Sequence, residues 1–482
     1  MVPSGDHECE WKEYAITLQK QLDDVAKKQR LQQEQFDALK QKIFGKSSER
    51  MPPMEREVSR GEQLDPAKGL LKRRANAELR AAKIKTEVVD VQVPATERHC
   101  PKCDGSHFTK LGEGKPSQVT EYIQGYFCKR IFRRETLACR CGQHVVTAPL
   151  PDKVFDKTQY GPGFLAHLVV SKCCDSLPLY RMEQQFGRLG IRMSRSTMTD
   201  LFHRAGELVV PLAHRIVALI AASEIVLADE TPMPVQDDRK KPYIWTFVSG
   251  TLVAYRFSMS RSGDTPKAIL GGTTGTLVVD MYTGYNAITG VECRQCAGCL
   301  SHARRKFFKA LNSAPEAQVA LDLIRDIYVI ERDVKLARET GEVDHARARR
   351  EQCLPIMDKL YVWLAKQKVQ HPPKSVMGNA ISYTLTTGLA RTRFSTNTAL
   401  PPDNNRSERA LRVVALGRKN FLFAGNKDSG ENLAALYTVV ATCVANEVDP
   451  LAYLTDVLTR LDSTLADQVD TLLPQNWALL AP

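Results

Sequence analysis

Residues 224–235 read EIVLADETPMPV, and residues 275–286 read GTLVVDMYTGYN. Each is a short apolar run that delivers an acid at its end, Asp229 followed by Glu230 in the first and Asp280 in the second. Runs of this length, rich in Val, Ile and Leu and bounded by Gly or Pro, read as strands of a mixed α/β sheet. Ligands bind at the carboxyl ends of adjacent strands in such sheets, so the two aspartates are expected side by side there. A single strand ending in Asp is commonplace, because Asp also starts turns and caps helices. The repetition makes the pair stand out.

Between the two runs, PYIWTFVSGTLVAYRFS (242–258) reads as a β-hairpin turning near Ser249 and Gly250, and DTPKAILG (264–271) as a short helix. A third acid lies far downstream in PPDNNRSERALRVV (401–414). There Pro-Pro breaks the chain, Asp403, Asn404 and Asn405 offer helix caps, and Glu408 sits among Arg406, Arg409 and Arg412. On an isolated surface helix those arginines would simply pair with Glu408. The alternative is a carboxylate held in a basic field, binding a metal that also touches phosphate. Glu408 shares a helical face with Leu411 and Ala415, which would let this helix cross the sheet. Three carboxylates so gathered can hold two divalent cations about 4 Å apart, the geometry for in-line attack at a phosphodiester.

The remaining sequence fits a polyanionic partner. At 482 residues the chain is long enough for roughly three folding units. Lys and Arg number 67 against 55 for Asp and Glu, a formal charge of +12 with a pI near 9.0, which favours nucleic acid over an acidic small molecule. The longest apolar stretch, 209–222, is broken by His214 and Arg215, so no membrane span is expected, and the amino terminus lacks a signal-peptide layout. Thirteen cysteines, an odd number, suit a reducing cytosol and a metal site better than a disulfide framework.

Residues 1–45 carry Trp11, Ala15, Leu18, Leu22, Val25, Phe36, Leu39 and Ile43 at alternating steps of four and three, the seam of a coiled coil or the face of an ordinary amphipathic helix. Residues 46–94 form a basic linker, densest in KGLLKRRANAELRAAKIK (68–85). Within 95–150, Cys100 and Cys103 form one knuckle, and Cys139 and Cys141 a tighter one in which His144 could replace a sulfur; together they read as a zinc-ribbon-like module. Between the knuckles, GYFCKRIFRRE (125–135) interleaves Tyr126, Phe127 and Phe132 with Lys129, Arg130, Arg133 and Arg134, as a nucleic-acid face or the wet edge of a stapled strand would. Residues 151–222 are helical, with two helices joined across Gly190 and the second capped by Ser194 or Ser196; a helix-turn-helix and a plain helical hairpin both fit. From His302 to about Ala390 the pattern is again helical, clearest in VALDLIRDIYVIERDVKLARE (319–339).

Taken together, ADET at Asp229, VVDMYTGYN at Asp280, CLSHARRKF (299–307), DNNRSERALR (403–412) and ALGRKNFLFAG (415–425) resemble the signatures of the insertion-sequence sixty-six family of DDE transposases. FGKSSER (44–50), SKCCDSLPLYR (171–181) and VDPLAYLTDVL (448–458) resemble the family too, in its order and over nearly the whole chain. The resemblance implies a multidomain α/β protein. Its ribonuclease H-like core, 223–302 with 396–440, would be interrupted by a helical insertion, 303–395, and followed by a C-terminal helical element, 441–482. It implies Asp229, Asp280 and Glu408 as an acidic triad for Mg²⁺ or Mn²⁺, structural Zn²⁺ in the cysteine module, and DNA as both substrate and target. Asp229 would bridge the ions, water would free a 3′ hydroxyl at each element end, and that hydroxyl would attack target DNA. A homodimer or higher oligomer, helper proteins from the same element, and a bacterial cytoplasmic setting on the nucleoid are implied as well. His302, Arg304, Arg305, Arg418 and Lys419 are expected to join Arg406, Arg409 and Arg412 in contacting phosphate. The Cys-x-Cys at 139–141, where a second C-x2-C is expected, leaves the fourth zinc ligand open.

Two other functions fit the same residues: a nuclease or resolvase that cuts without joining, and a non-catalytic zinc-containing regulator. Cys293, Cys296, Cys299 and His302 also recur every third residue, superficially an iron–sulfur pattern. A strand would point Cys296 away from the other two cysteines, so these are read as core cysteines, with Cys128, Cys173, Cys174, Cys353 and Cys443.

Overall fold

The computed structural model describes residues 8–44, 125–138, 145–148, 154–155, 158–236, 241–290, 292–338 and 344–477. The chain divides into two compact units. The larger comprises residues 1–45 and 127–482, and the other, 46–126, lies almost wholly outside the described residues. A single helix, α1 (Glu8–Phe44), opens the chain, and along it Trp11, Leu18, Leu22, Val25 and Phe36 of the apolar seam are exposed. A small antiparallel ribbon, β1 (Thr136–Ala138) with β2 (Val145–Thr147), precedes three helices: α2 (Pro162–Cys173), α3 (Leu179–Arg188) and α4 (Arg195–Ala221). Gly190 turns the chain between α3 and α4 with φ +84°, a conformation that costs glycine nothing. Ser194 caps α4 by accepting the Thr197 amide at 3.2 Å.

The core is a five-stranded mixed sheet made of β3 (Ile225–Pro232), β4 (Tyr243–Ser249), β5 (Leu252–Ser258), β6 (Thr276–Val279) and β7 (Gln295–Gly298), in the order β5-β4-β3-β6-β7. β3, β4 and β5 pair antiparallel through the expected hairpin, whereas β6 and β7 run parallel to β3. The short helix α5 (Asp264–Leu270) links β5 to β6, as the sequence indicates. Trp245, Phe247, Tyr255, Leu277 and Val278 are buried, which is what aromatic and branched residues achieve on a covered sheet. β3 runs three residues beyond Asp229: its pairing with β6 stops at Leu227, but its pairing with β4 continues to Pro232. β7 is a strand that the cysteine spacing concealed.

Directly after β7 the chain becomes helical, as α6 (Leu300–Ala310) and then α7 (Ala317–Arg338). A short α-turn and a π-turn over Arg349–Cys353 then lead into α8 (Leu354–Gln370), α9 (Val376–Thr386) and α10 (Gly388–Thr392). Next come α11 (Asn405–Phe421), α12 (Lys427–Ala445) and α13 (Pro450–Arg460). The expected division between 440 and 441 falls inside α12, which is one continuous helix of the core.

α12 seals the outer edge of the sheet. β5 is an edge strand, and its free backbone groups meet two threonines one helical turn apart. Thr438 Oγ1 accepts the Tyr255 amide at 2.8 Å; Thr442 Oγ1 accepts the Val253 amide at 3.2 Å and donates to the Val253 carbonyl at 3.0 Å. Four residues of helix rise about 6 Å, close to the length of two strand residues, so the two spacings match. Gly206 of α4 lets α12 approach closely, because a Cβ there would lie 2.7 Å from Asn432 Cβ. Replacing Thr438 or Thr442 with the isosteric valine should destabilise the protein by about 1–3 kcal/mol per site, through unsatisfied edge groups, in urea unfolding; the Thr→Ser replacements should cost much less.

Candidate active site at the carboxyl ends of the sheet

Leu227 of β3 lies opposite Val278 of β6, so two residues further on Asp229 and Asp280 come alongside each other. The Asp280 carboxylate accepts the Tyr282 amide at 2.9 Å, and its backbone carbonyl accepts the Tyr383 hydroxyl of α9 at 2.6 Å. The Asp229 carboxylate accepts the amide of Glu230 at 2.9 Å. Burial, then the neighbouring Glu230, and further the charges of Asp280 and Glu408, push the Asp229 carboxyl up to about 8 against the effect of that amide. Glu230 alternates away and is spoken for. Arg261 donates to it at 3.0 and 2.7 Å and Tyr285 at 2.7 Å, leaving a side chain 1% exposed. Burial raises its carboxyl too, while Arg261 and Tyr285 work in the opposite direction.

Glu408 reaches this end of the sheet through Asn404, the buried N-cap of α11. Asn404 does not cap with its side chain; its Nδ2 instead donates to the carbonyl of Ala228 at 2.8 Å, one residue before Asp229. Its backbone amide donates to Cys299 Sγ at 3.2 Å, and its carbonyl accepts the amide of Glu408. Glu408 therefore stands one turn above a fixed point on β3. Its carboxylate does not pair with Arg406, Arg409 or Arg412, as a lone helix would suggest. Those arginines lie exposed on α11, and Arg406 donates to the Gly250 carbonyl. The partners of Glu408 come from α6: Arg305 at 3.1 Å on Oε2 and His302 Nδ1 at 3.4 Å from Oε1. Among the described residues, one group of three potential metal-ligand side chains has all its ligand atoms within 4.8 Å of one another, and it is Cys299, His302 and Glu408. The two aspartates and Glu408 feel one another's charge, yet their oxygens do not gather within that span.

The other expected contact residues divide by role. Arg418 ties the end of α11 to β3 through Thr231 Oγ1 at 3.2 Å and the Pro232 carbonyl, whereas Lys419 is exposed and Arg304 half-buried. Lys129, Arg130, Arg133 and Arg134 are exposed, Arg134 donating to the Ala148 carbonyl at 3.2 Å. Phe127, in contrast, turns inward onto Phe164 and Phe186, with ring centroids 5.6 and 5.0 Å away. Cys128 is exposed, unlike the core position expected for it, whereas Cys173, Cys299, Cys353 and Cys443 are buried and Cys174, Cys293 and Cys296 half-buried. Cys100, Cys103, Cys139, Cys141 and His144 lie outside the described residues. Asn404 and Tyr383 escaped the sequence reading. The doubled Asn after Asp403 was the available signal for Asn404, and it read only as a cap.

Fold and site together define a mixed α/β protein with acidic side chains carried to the carboxyl ends of its central strands. The family model described as "Transposase IS66 family" matches residues 157–432, and "IS66 C-terminal element" matches 438–475. The chain belongs to the IS66 family of DDE transposases. It is 32% identical over 412 residues to "Uncharacterized protein y4jD" of Sinorhizobium fredii (strain NBRC 101917 / NGR234), covering 80% of each chain. It is 31% identical over 424 residues to "Uncharacterized protein y4hP" of the same organism, covering 82% of this chain and 75% of that one. Family membership implies DNA binding, and DDE transposases use divalent metals. No helix among the described residues is long and apolar enough to cross a membrane.

The raised Asp229 carboxyl makes a signed prediction. Its proton is retained in the folded state up to about 8 but lost near 4 when unfolded, so the folded state binds more protons in between. In metal-free buffer, stability from this group is full below about pH 4 and is lost as pH rises through about 8. Asp229→Asn should flatten that decline in urea unfolding across the pH series, and added Mg²⁺ should offset it in the wild type only.

Proposed function

We propose that this protein is a transposase that cleaves the ends of a mobile element and joins each freed 3′ hydroxyl to target DNA, using Asp229, Asp280 and Glu408 on a ribonuclease H-like core. The observation that carries the proposal is the alignment of Asp229 with Asp280 beside a helix whose start is bonded to β3 at Ala228. The sheet order, with three antiparallel strands followed by two parallel ones, is consistent with such a core. The acids also fit a cation: burial and acidic neighbours raise the Asp229 carboxyl, a conflict that a divalent ion would relieve. Oxygen donors suit Mg²⁺ or Mn²⁺. The metal, when bound, lowers the barrier to deprotonating the attacking hydroxyl and offsets charge on the leaving oxygen.

The chain's own groups do the rest. Asp229 and Asp280 stay fixed on neighbouring strands, and Glu408 completes the set by a side-chain rotation away from His302 and Arg305. A DNA phosphate that draws Arg305 off Glu408 favours that rotation, so substrate and metal assemble together. Arg304, Arg406, Arg409, Arg412 and Lys419, carried on α6 and α11, would supply positive charge for the strand. Lys129, Arg130, Arg133 and Arg134 add a further exposed basic surface, and Cys100, Cys103, Cys139 and Cys141 would hold a structural zinc. The exposed seam of α1 supports self-association, which acting on two element ends requires. Helper proteins from the same element fit this scheme.

The test is strand transfer with purified protein, end-containing DNA and Mg²⁺. Wild type should give joined products; Asp229→Asn should reduce them to background while its DNA affinity stays within about threefold, since phosphate contacts carry binding. Joined products from the Asn variant would remove Asp229 from the chemistry. Cleavage by wild type without joining would make the protein a nuclease instead.

A further inference from the structure

We propose that Cys299, His302 and Glu408 form a mixed-donor metal site that takes Zn²⁺, excludes Mg²⁺, and holds Glu408 apart from the two aspartates. That Glu408 is shared rests on the function proposed above; the binding of zinc does not.

Three observations carry the site. First, the sulfur of Cys299, a nitrogen of His302 and an oxygen of Glu408 all lie within 4.8 Å of one another. His302 Nδ1 and Glu408 Oε1 are 3.4 Å apart, the separation of two ligands on one tetrahedral ion with bonds of about 2.0–2.1 Å. Second, both of those atoms are buried and face each other as a long ion pair, and neither has a further hydrogen-bond partner. A pair of polar atoms left so is costly unless a proton or a metal ion lies between them, and a third ligand atom within reach suits the metal ion. Third, the Cys299 sulfur is held in place by backbone N–H groups from Asn404 and from His302, which position it as a donor facing the other two side chains.

The supports are rigid. Cys299 is the N-cap of α6 and follows directly on β7; His302 lies in the first turn of the same helix; Glu408 is indexed to β3 through Asn404. Arg305 holds Oε2 of Glu408 and leaves Oε1 turned toward the imidazole. Sulfur and imidazole nitrogen suit a borderline-soft divalent ion and repel Mg²⁺, whose preference is for oxygen. The fourth position remains for water. With Arg305 on Oε2 and this ion on Oε1, Glu408 has no oxygen left for the aspartate pair, so zinc here competes with assembly of the catalytic set.

The full chain, dialysed against Zn²⁺ and then against metal-free buffer, should hold one zinc per chain more than Cys299→Ser and one more than His302→Asn, by plasma mass spectrometry. Zinc in the separate cysteine module is common to all three proteins and cancels. With Co²⁺ as probe, the thiolate-to-cobalt absorption of wild type should exceed that of Cys299→Ser. Serine keeps an acceptor for the Asn404 amide, and His302→Asn leaves that contact untouched, so two independent variants report. Equal metal content and equal cobalt spectra across the three proteins would overturn the site. In the Mg²⁺ strand-transfer assay, Cys299→Ser should need at least about tenfold more Zn²⁺ than wild type for half-inhibition, each measured against its own zinc-free rate. A lost zinc with unchanged inhibition would overturn the sharing of Glu408, leaving the assignment of Asp229 to its own variant.

Discussion

Everything at the active end of the sheet depends on one buried amide. Glu408 lies 128 positions after Asp280 (408 − 280), across a largely helical segment, and a chain segment that long has no local reason to return to a given strand. The bond from Asn404 Nδ2 to the Ala228 carbonyl supplies the return, and it does so beside the first aspartate. An amide is suited to this because it offers a neutral donor to a backbone acceptor without introducing another charge among carboxylates. The same residue spends its backbone amide on the Cys299 sulfur, so β3, β7, α6 and α11 converge on a single side chain and its neighbour.

The insertion contributes more than length. Buried Arg349, in the π-turn, pairs with Glu331 at 2.6 Å through two nitrogens and points its third at the carbonyls of Phe394, Asn397 and Leu400. Those carbonyls belong to the loop that leads into α11. Buried Arg391 donates to the Cys299 carbonyl and to the carbonyls of Tyr383 and Thr384, while the Tyr383 hydroxyl holds the backbone of Asp280. Guanidinium groups are well matched to irregular turns, because five donors in one plane can satisfy several carbonyls at once. The helical insertion is therefore a frame: one arginine fixes the approach to Glu408, and the other, through a tyrosine, braces Asp280.

How much of this was legible follows from how local each signal is. β3, β4, β5 and β6 announce themselves by apolar runs and a turn, and α5 by its short period, while the cap of α4 stayed open between Ser194 and Ser196 until the fold placed it at Ser194. β7 did not, for a physical reason. Its four residues, QCAG, carry almost no bulk, and Gly298 must stay bare because a Cβ there would lie 2.9 Å from Arg391 Cγ. A strand thinned to admit an arginine from ninety residues away looks like a loop. The partners of Glu408 were hidden in the same way. Helical spacing offers Arg412 as the neighbour, but the three-dimensional neighbours are Arg305 and His302, and no periodicity reports a contact between separate helices.

Cys299 is buried, as its reading as a core cysteine expects, but spacing alone did not reveal its neighbours. The recurrence of Cys293, Cys296 and Cys299 suggested either a cluster or plain core filling. In the fold, Cys296 lies within β7 and Cys299 just beyond its end, where the chain turns into a helix. A residue at that junction must close the strand, start the helix, and accept an amide arriving from α11. A thiol does all three: it is small enough for the buried N-cap, apolar enough for the core beside it, and large enough at sulfur to reach two N–H groups at once. Burial pushes that thiol up to about 12, so without a cation beside it the group stays neutral and inert, and its constraint is one of shape and acceptance. Its place next to His302 and Glu408 then follows from α6 and α11 both beginning at the same point above β3, a consequence of topology that the three-residue repeat never encoded.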